Sequence, residues 1–296
     1  MTPARTTLRR RRTLALALLG ALAVTLGSAA AARADVTRSS NWAGYAAHSS
    51  RVRFSHVFGA WRQPSAACTP GTPTYSSQWV GLGGYAVNSK ALEQIGSELD
   101  CSASGKPVST VWYELAPAPS RSIRMTVAAG DQLTAAVTVT EHLVRLQLSD
   151  LTRHTSFVRT VDVHQIDVSS ADWIVEAPSE CTGPGPCQQL ALADFGTTAM
   201  TRASAQTSTG HRAGISDPRW RTTVIVLSST GRRFVGSGVH TGADATPSNL
   251  VFGGSAFAVT YAGAGGSAST PTGVTAQRLR GATLTRRATL TRPGRR

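Results

Sequence analysis

Along most of the chain, apolar and polar positions alternate in short runs and show almost no helical period. Runs rich in Val, Ile, Thr and aromatics fall at Arg53–Trp61, Ser77–Leu82, Val108–Leu115, Ile123–Ala128, Gln132–Val139 and His142–Leu148. Further runs fall at Ser156–Val163, Asp172–Ala177, Arg221–Leu227 and Ala256–Tyr261. A two-residue period is that of a half-buried antiparallel strand, because successive side chains point to opposite faces of a sheet. Turn residues separate the runs, and about 220 residues from Ser39 to Ala262 hold no internal linker. The pattern predicts one all-β domain, and the length suits an antiparallel β-sandwich of two packed sheets.

The two ends read differently. Arg9–Arg12 form a basic cluster, Leu14–Leu26 an apolar run, and Ala32-Arg33-Ala34 a small-x-small cleavage pattern. This is the layout of a secretory signal, with cleavage before Asp35. The apolar run falls short of the ~18–20 residues that a membrane span needs. From Gly263 onward the chain is Gly/Ala/Ser/Thr-rich, then basic, a composition that cannot bury a core and predicts a disordered tail. The expected organisation is therefore a signal peptide at 1–34, a β-sandwich domain at 35–262 and a basic tail at 263–296. Secretion is expected, with no membrane span and no N-terminal propeptide.

Charge then excludes one class of partner. The formal net charge is +14, with 30 Lys and Arg against 16 Asp and Glu. Thirteen of those cations lie in the two ends: Arg5, Arg9–Arg12 and Arg33, then Arg278, Arg280, Arg286, Arg287, Arg292, Arg295 and Arg296. Neither end contains Asp or Glu, so the body is close to neutral. A nucleic-acid binder carries its positive charge on the folded surface, so no nucleic-acid partner is expected.

The four cysteines are Cys68, Cys101, Cys181 and Cys187. An even count in an exported chain predicts two disulfides. Cys181 and Cys187 bracket Thr-Gly-Pro-Gly-Pro, a segment suited to turning back on itself, which leaves Cys68 with Cys101; other pairings stay open at this level. The spacing does not fit a zinc knuckle and no His is suitably placed. Neither metal nor cofactor is expected.

Five segments carry unusual residues inside strand-like runs: Ser40-Asn41-Trp42-Ala43-Gly44, Trp79-Val80-Gly81-Leu82-Gly83-Gly84, Glu93-Gln94-Ile95-Gly96, Trp112-Tyr113-Glu114 and Ala171-Asp172-Trp173-Ile174-Val175-Glu176. In this order, over about Ser39 to Ala205, the set resembles the glutamic peptidases, or eqolisins. The resemblance implies a concanavalin-type sandwich and hydrolysis of peptide bonds in polypeptide substrates, usually in acid. It implies Glu176 and Gln94 as the catalytic pair, with Trp79, Trp112, Glu114, Trp42 and Glu98 lining or supporting the cleft. The fungal pattern has an aspartate where this chain has Gly83, and an aspartate where it has Glu98.

The residues make chemical sense of that assignment. Alternation puts Asp172, Ile174 and Glu176 on one strand face, with Trp173 and Val175 on the other. Gln94, Gly96 and Glu98 share a face, as do Trp112 and Glu114. Hydrolysis by water needs a base for the water and a donor for the oxyanion. Glu176 supplies the first, and the Gln94 amide, a neutral donor at any pH, supplies the second. A free Glu titrates near ~4.3, which suits mild acid, and Glu98 or Glu114 nearby would raise Glu176 by like-charge repulsion.

Rival readings are a serine hydrolase built on Gly236-Ser237-Gly238 and His240, which lacks a nucleophile elbow, and a carbohydrate-binding or glycoside-hydrolysing sandwich. The latter would use exposed tryptophans, or paired carboxylates such as Glu114 or Glu98 with Glu176. A monomer is expected.

Overall fold

The computed structural model describes residues 34–180, 187–228, 230–232, 234 and 242–263. The expected signal and most of the expected tail lie outside the described residues, as do Cys181, Ser237 and His240.

The described chain is all-β. Its strands are β1 (Asp35–Ser39), β2 (Trp42–His48), β3 (Phe54–Arg62), β4 (Thr74–Gly83), β5 (Leu92–Cys101), β6 (Pro107–Ala116), β7 (Arg121–Ser122), β8 (Gln132–Thr140) and β9 (Leu143–Asp150). Then follow β10 (Thr155–Asp162), β11 (Ser170–Glu176), β12 (Ser179–Glu180), β13 (Gln188–Gln189), β14 (Thr197–Thr207), β15 (Arg212–Ala213), β16 (Arg221–Leu227), β17 (Ala245–Pro247) and β18 (Phe257–Tyr261).

One hydrogen-bonded path runs β10-β9-β8-β3-β14-β18-β17-β16-β2-β11-β4-β5-β6-β7 and folds back over itself. The half from β16 to β7 lies against the half from β10 to β14, with β4 and β11 packed on β3, and β5 on β8 and β9. The result is the expected β-sandwich. Pairing is antiparallel except where β1 runs parallel to β16, Asp35 beside Thr223 and Ser39 beside Leu227.

The core lies between the layers. Tyr45, Val80, Ile95, Val111, Trp173 and Val175 from one side meet Val57, Trp61, Leu133, Val137, Leu146 and Met200 from the other, all buried. Trp173 is fully buried and donates its indole N–H to the Phe58 carbonyl at 2.8 Å, which ties the layers together. Cys68 and Cys101 form a disulfide that fastens the end of β5 to the segment before β4. Cys187 is also disulfide-bonded.

One predicted strand is absent. Ile123–Ala128 leaves the ladder after a single bond from the Ile123 amide to the Val111 carbonyl, and the Met125 amide turns back to the Ile123 carbonyl. Its apolar residues still point inward, with Ile123 and Val127 buried. Burial without ladder pairing gave the run its strand-like look. Conversely, β14 belongs to the sandwich although its small and polar residues hid it from the pattern.

Candidate active site

The register of four neighbouring strands builds the site. Glu176 on β11 pairs with Trp42 on β2 and with Ser77 on β4, and Ser77 pairs with Glu98 on β5. One row along, Ile174, Trp79, Gly96 and Trp112 align across β11, β4, β5 and β6. In the next row come Asp172, Gly81, Gln94 and Glu114. Directly paired residues share a face, so the expected face assignments hold. The face carrying these residues is the outer one of this layer, opposite Trp173 and Val175.

Two glycines make this face possible. A side chain on Gly96 would stand 2.2 Å from the Gln78 carbonyl oxygen and 2.6 Å from the Trp79 Cβ, in the space the indole needs. Gly44 has φ of +148°, and a Cβ there would meet the Trp173 carbonyl oxygen at 2.1 Å. Only glycine allows so close a backbone approach.

Glu176 is held by two donors. Asn41 Nδ2 reaches its Oε1 at 3.0 Å, and Trp79 Nε1 its Oε2 at 2.8 Å. Asn41 is itself fixed, since its Oδ1 accepts from the Ser39 hydroxyl at 3.0 Å and the Phe234 amide at 3.4 Å. Burial pushes the Glu176 carboxyl up to about 8, against the pull of the Trp79 and Asn41 hydrogen bonds, and the Glu114 charge adds to the rise. The expected cause, repulsion from Glu98 or Glu114, is therefore second to desolvation, and only Glu114 contributes.

Gln94 is almost fully buried, at 4 % exposure. Its Nε2 donates to Glu114 Oε2, the carboxylate directly across the β5–β6 pair. That bond fixes which way the amide points. The Oε1 of Gln94 and the indole nitrogen of Trp112 are buried without a partner among the described residues. Glu114 thus links the two halves, bonded to Gln94 and electrostatically felt by Glu176.

The other expected residues divide. Trp112 is half-buried on the rim. Trp42 and Trp79 are fully buried, so neither offers a ring face to a bound molecule. Trp79 acts as a donor to the carboxylate, and Trp42 packs edge-on against it at 5.0 Å and flat on Phe234 at 4.5 Å. Glu98 lies one pair beyond Ser77, raised by burial and bonded to Thr110. Gly83 has φ of +82° and sits under Asp167, whose Cβ is 2.7 Å from where a Gly83 side chain would begin. At the place where the fungal pattern has an aspartate, a carboxylate from the β10–β11 connection packs instead. Asn41 was the residue missed. Its signal was its position just before Trp42, the partner of Glu176 across β2.

Comparison with known proteins agrees with the geometry. The profile of the Peptidase A4 family matches residues 40–245. The chain belongs to that family, the glutamic peptidases. No curated protein sequence matches the chain. Among solved structures, this peptidase is similar to scytalido-glutamic peptidase in complex with a peptide-based transition-state analogue, at TM-score 0.59 and 20% identity over 75% of this chain and 98% of that one. It is also similar to SCP-B, a member of the eqolisin family in complex with the tripeptide Ala-Ile-His, at TM-score 0.57 and 19% identity over the same shares. At these identities the likeness speaks for the fold. Among the described residues no helix of the peptidase is long and apolar enough to cross a membrane.

Proposed function

We propose that this peptidase is an exported endopeptidase in which Glu176 activates water and Gln94 stabilises the oxyanion. The observation that carries the reading is the linked set on one sheet face: a carboxylate held by two N–H donors, and an amide oriented by a second carboxylate. Glu176 takes a proton from water, and the hydroxide adds to the scissile carbonyl carbon. The carbonyl oxygen gains the negative charge and accepts from the N–H of Gln94 that is not engaged by Glu114. Protonated Glu176 then gives its proton to the leaving nitrogen as the C–N bond breaks, and returns to the carboxylate. The peptide-based ligands of the two similar structures support an extended polypeptide as substrate.

Burial sets the working range. A general base works in its ionised form, so kcat/KM should climb as the pH rises toward about 8, the position to which burial moves Glu176. This favours activity nearer neutrality than the mild acid expected from a free Glu. Export rests on the N-terminal pattern and fits a chain that carries a disulfide.

The test is casein hydrolysis by the mature protein from about pH 3 to 9, beside Glu176→Gln and Gln94→Ala. Loss of about 10³-fold or more in the first, and about 10²–10³-fold in the second, with circular dichroism unchanged, supports the pair. Full activity in either variant rejects it. The buried tryptophans weigh against the sugar-stacking alternative, since five of the six, Trp42, Trp61, Trp79, Trp173 and Trp220, are buried.

A further inference from the structure

On the β2–β16 side of Glu176 the same sheet face carries a guanidinium with no acidic partner among the described residues. Arg232 stands over Phe234 at 4.4 Å and over Tyr85 at 4.8 Å from the ring centroids. Its Nη2 donates to the Tyr85 carbonyl at 3.4 Å, and its buried Nε meets no partner among the described residues. A second described cation on this side, Arg221, is already paired with Asp35 at 2.5 Å. His48, stacked on Tyr85 at 4.3 Å, is driven toward its neutral form by burial and by Arg221 and Arg232. Among the described residues Arg232 has no carboxylate within ion-pair distance.

Its place relative to the catalytic carboxylate is fixed by backbone. The Arg232 amide donates to the Arg38 carbonyl, and its carbonyl accepts from the Ser40 amide, both at 2.9 Å. Two residues on, the Phe234 amide donates to Asn41, which holds Glu176. Beneath the surface, ring contacts lead from Trp79, which donates to Glu176, through Trp42 and Phe234 to Arg232 in steps of 5.0, 4.5 and 4.4 Å. That span is at most about four residues of an extended peptide at ~3.3 Å each.

We infer that Arg232 is a specificity-determining residue that binds a carboxylate of the peptide substrate, a few residues from the cleaved bond. A guanidinium lying over two adjacent rings, whose centroids are 5.6 Å apart, is pre-oriented, keeps its charge at every working pH and presents forked donors to a carboxylate. The carboxylate has two sources, an Asp or Glu side chain and the free C-terminus of a short peptide. The inference rests on the Glu176/Gln94 reading for where the cleaved bond lies.

The experiment uses internally quenched peptides cut by the wild-type protein, with Glu or Gln placed at each of four positions on either side of the cleaved bond. A second set compares a free C-terminal acid with its amide. The expected result is one position, or the terminus, where the carboxylate raises kcat/KM by about ten- to hundredfold, as a charge-assisted hydrogen bond would. Arg232→Gln should reduce that preference to within about twofold, lowering kcat/KM for the carboxylate peptide far more than for its neutral counterpart. Arg232→Lys should retain part of the preference. The preference should also fade as the pH falls below about 4.3 and the substrate carboxyl is protonated, which a structural role for Arg232 would not produce. A preference confined to the acid/amide pair assigns the terminus; one confined to a Glu/Gln pair assigns a side chain. No carboxylate preference in the wild type, or an equal fall for both peptides in a folded Arg232→Gln, overturns the inference while leaving the catalytic pair intact. If no peptide is cut, the catalytic reading fails, and calorimetric binding of the same peptide pairs to the folded protein decides the role of Arg232 separately.

Discussion

Two glutamates two strands apart in one sheet, on β11 and β5 with β4 between them, show what burial alone does and what a site adds. Glu176 on the outer face and Glu93 on the core face are both driven up by desolvation, to about 8 and about 9. Glu176 has two N–H donors and a half-buried position at the strand end. Glu93 pairs with Leu82 and Leu115, is 0 % exposed, and no side chain among the described residues donates to either of its oxygens. The neighbouring backbone of Asp167 offsets only part of its burial, and the Asp167 charge works against ionisation. A raised pKa therefore does not mark function by itself. What separates the two is whether the ionised form has been given donors and an opening.

The largest change that sharpens this contrast is removal of one donor. Trp79→Phe keeps the packing against Trp42 but takes away the 2.8 Å bond that favours the Glu176 carboxylate. The Glu176 pKa should then rise further, by about one unit. The kcat/KM profile should fall about tenfold below pH 7 and recover as the pH passes the new value. An unchanged profile would mean that Asn41 alone fixes the base. Glu114→Gln tests the opposite sign. It removes the negative charge that adds to the rise of Glu176 and leaves an amide oxygen to accept from Gln94. The base limb should move to lower pH by a fraction of a unit, with the maximal rate within a few-fold. A shift to higher pH, or loss of activity at every pH, would place Glu114 in the chemistry itself.

Much of this was legible in the sequence, and the limits follow from what alternation encodes. A two-residue period assigns faces, so Asp172, Ile174 and Glu176 could be set together on one side, and Gln94, Gly96 and Glu98 likewise. It does not say which strands are neighbours. That β11 sits between β2 and β4 comes from long-range pairing, and so the donors Asn41 and Trp79 could not be read as partners of Glu176. Trp42 and Trp79 looked like cleft-lining aromatics, because an indole at a strand position reads the same whether its ring faces solvent or its N–H faces a carboxylate. Depth is the second blind spot. A free glutamate suggests acid, and only the burial of Glu176 moves the expected range upward. Arg232 could not be singled out from sequence, because its significance lies in having no carboxylate partner among the described residues, a property of the folded surface.

The smallest expected effect on catalysis comes with a clear effect on stability, and it concerns Glu93. In the unfolded chain this carboxyl titrates near 4.5, and in the fold near 9. Between those values the folded state holds a proton that the unfolded state has lost. Stability is then greatest below about pH 4.5 and falls by about 1.4 kcal/mol per pH unit toward 9 for this one group. Glu98, Asp100, Glu114, Asp172 and Glu176 are raised as well and act in the same direction. Glu93→Gln removes one contribution without changing shape. Denaturant unfolding at pH 4, 6 and 8 should give a shallower decline than the wild type, so that the variant is relatively more stable at pH 8 than at pH 4. Its kcat/KM at pH 6 should match the wild type within about twofold, since Glu93 points away from Gln94 and into the core. Parallel stability curves would show that Glu93 ionises without cost. A large loss of activity in a folded Glu93→Gln would break the comparison, since it would tie the core glutamate to the placement of the adjacent Gln94. The two outcomes that keep it standing also bound the working range: under the proposed mechanism ionisation of Glu176 would raise the rate as the pH climbs, while the buried carboxyls of the sandwich withdraw stability over the same interval.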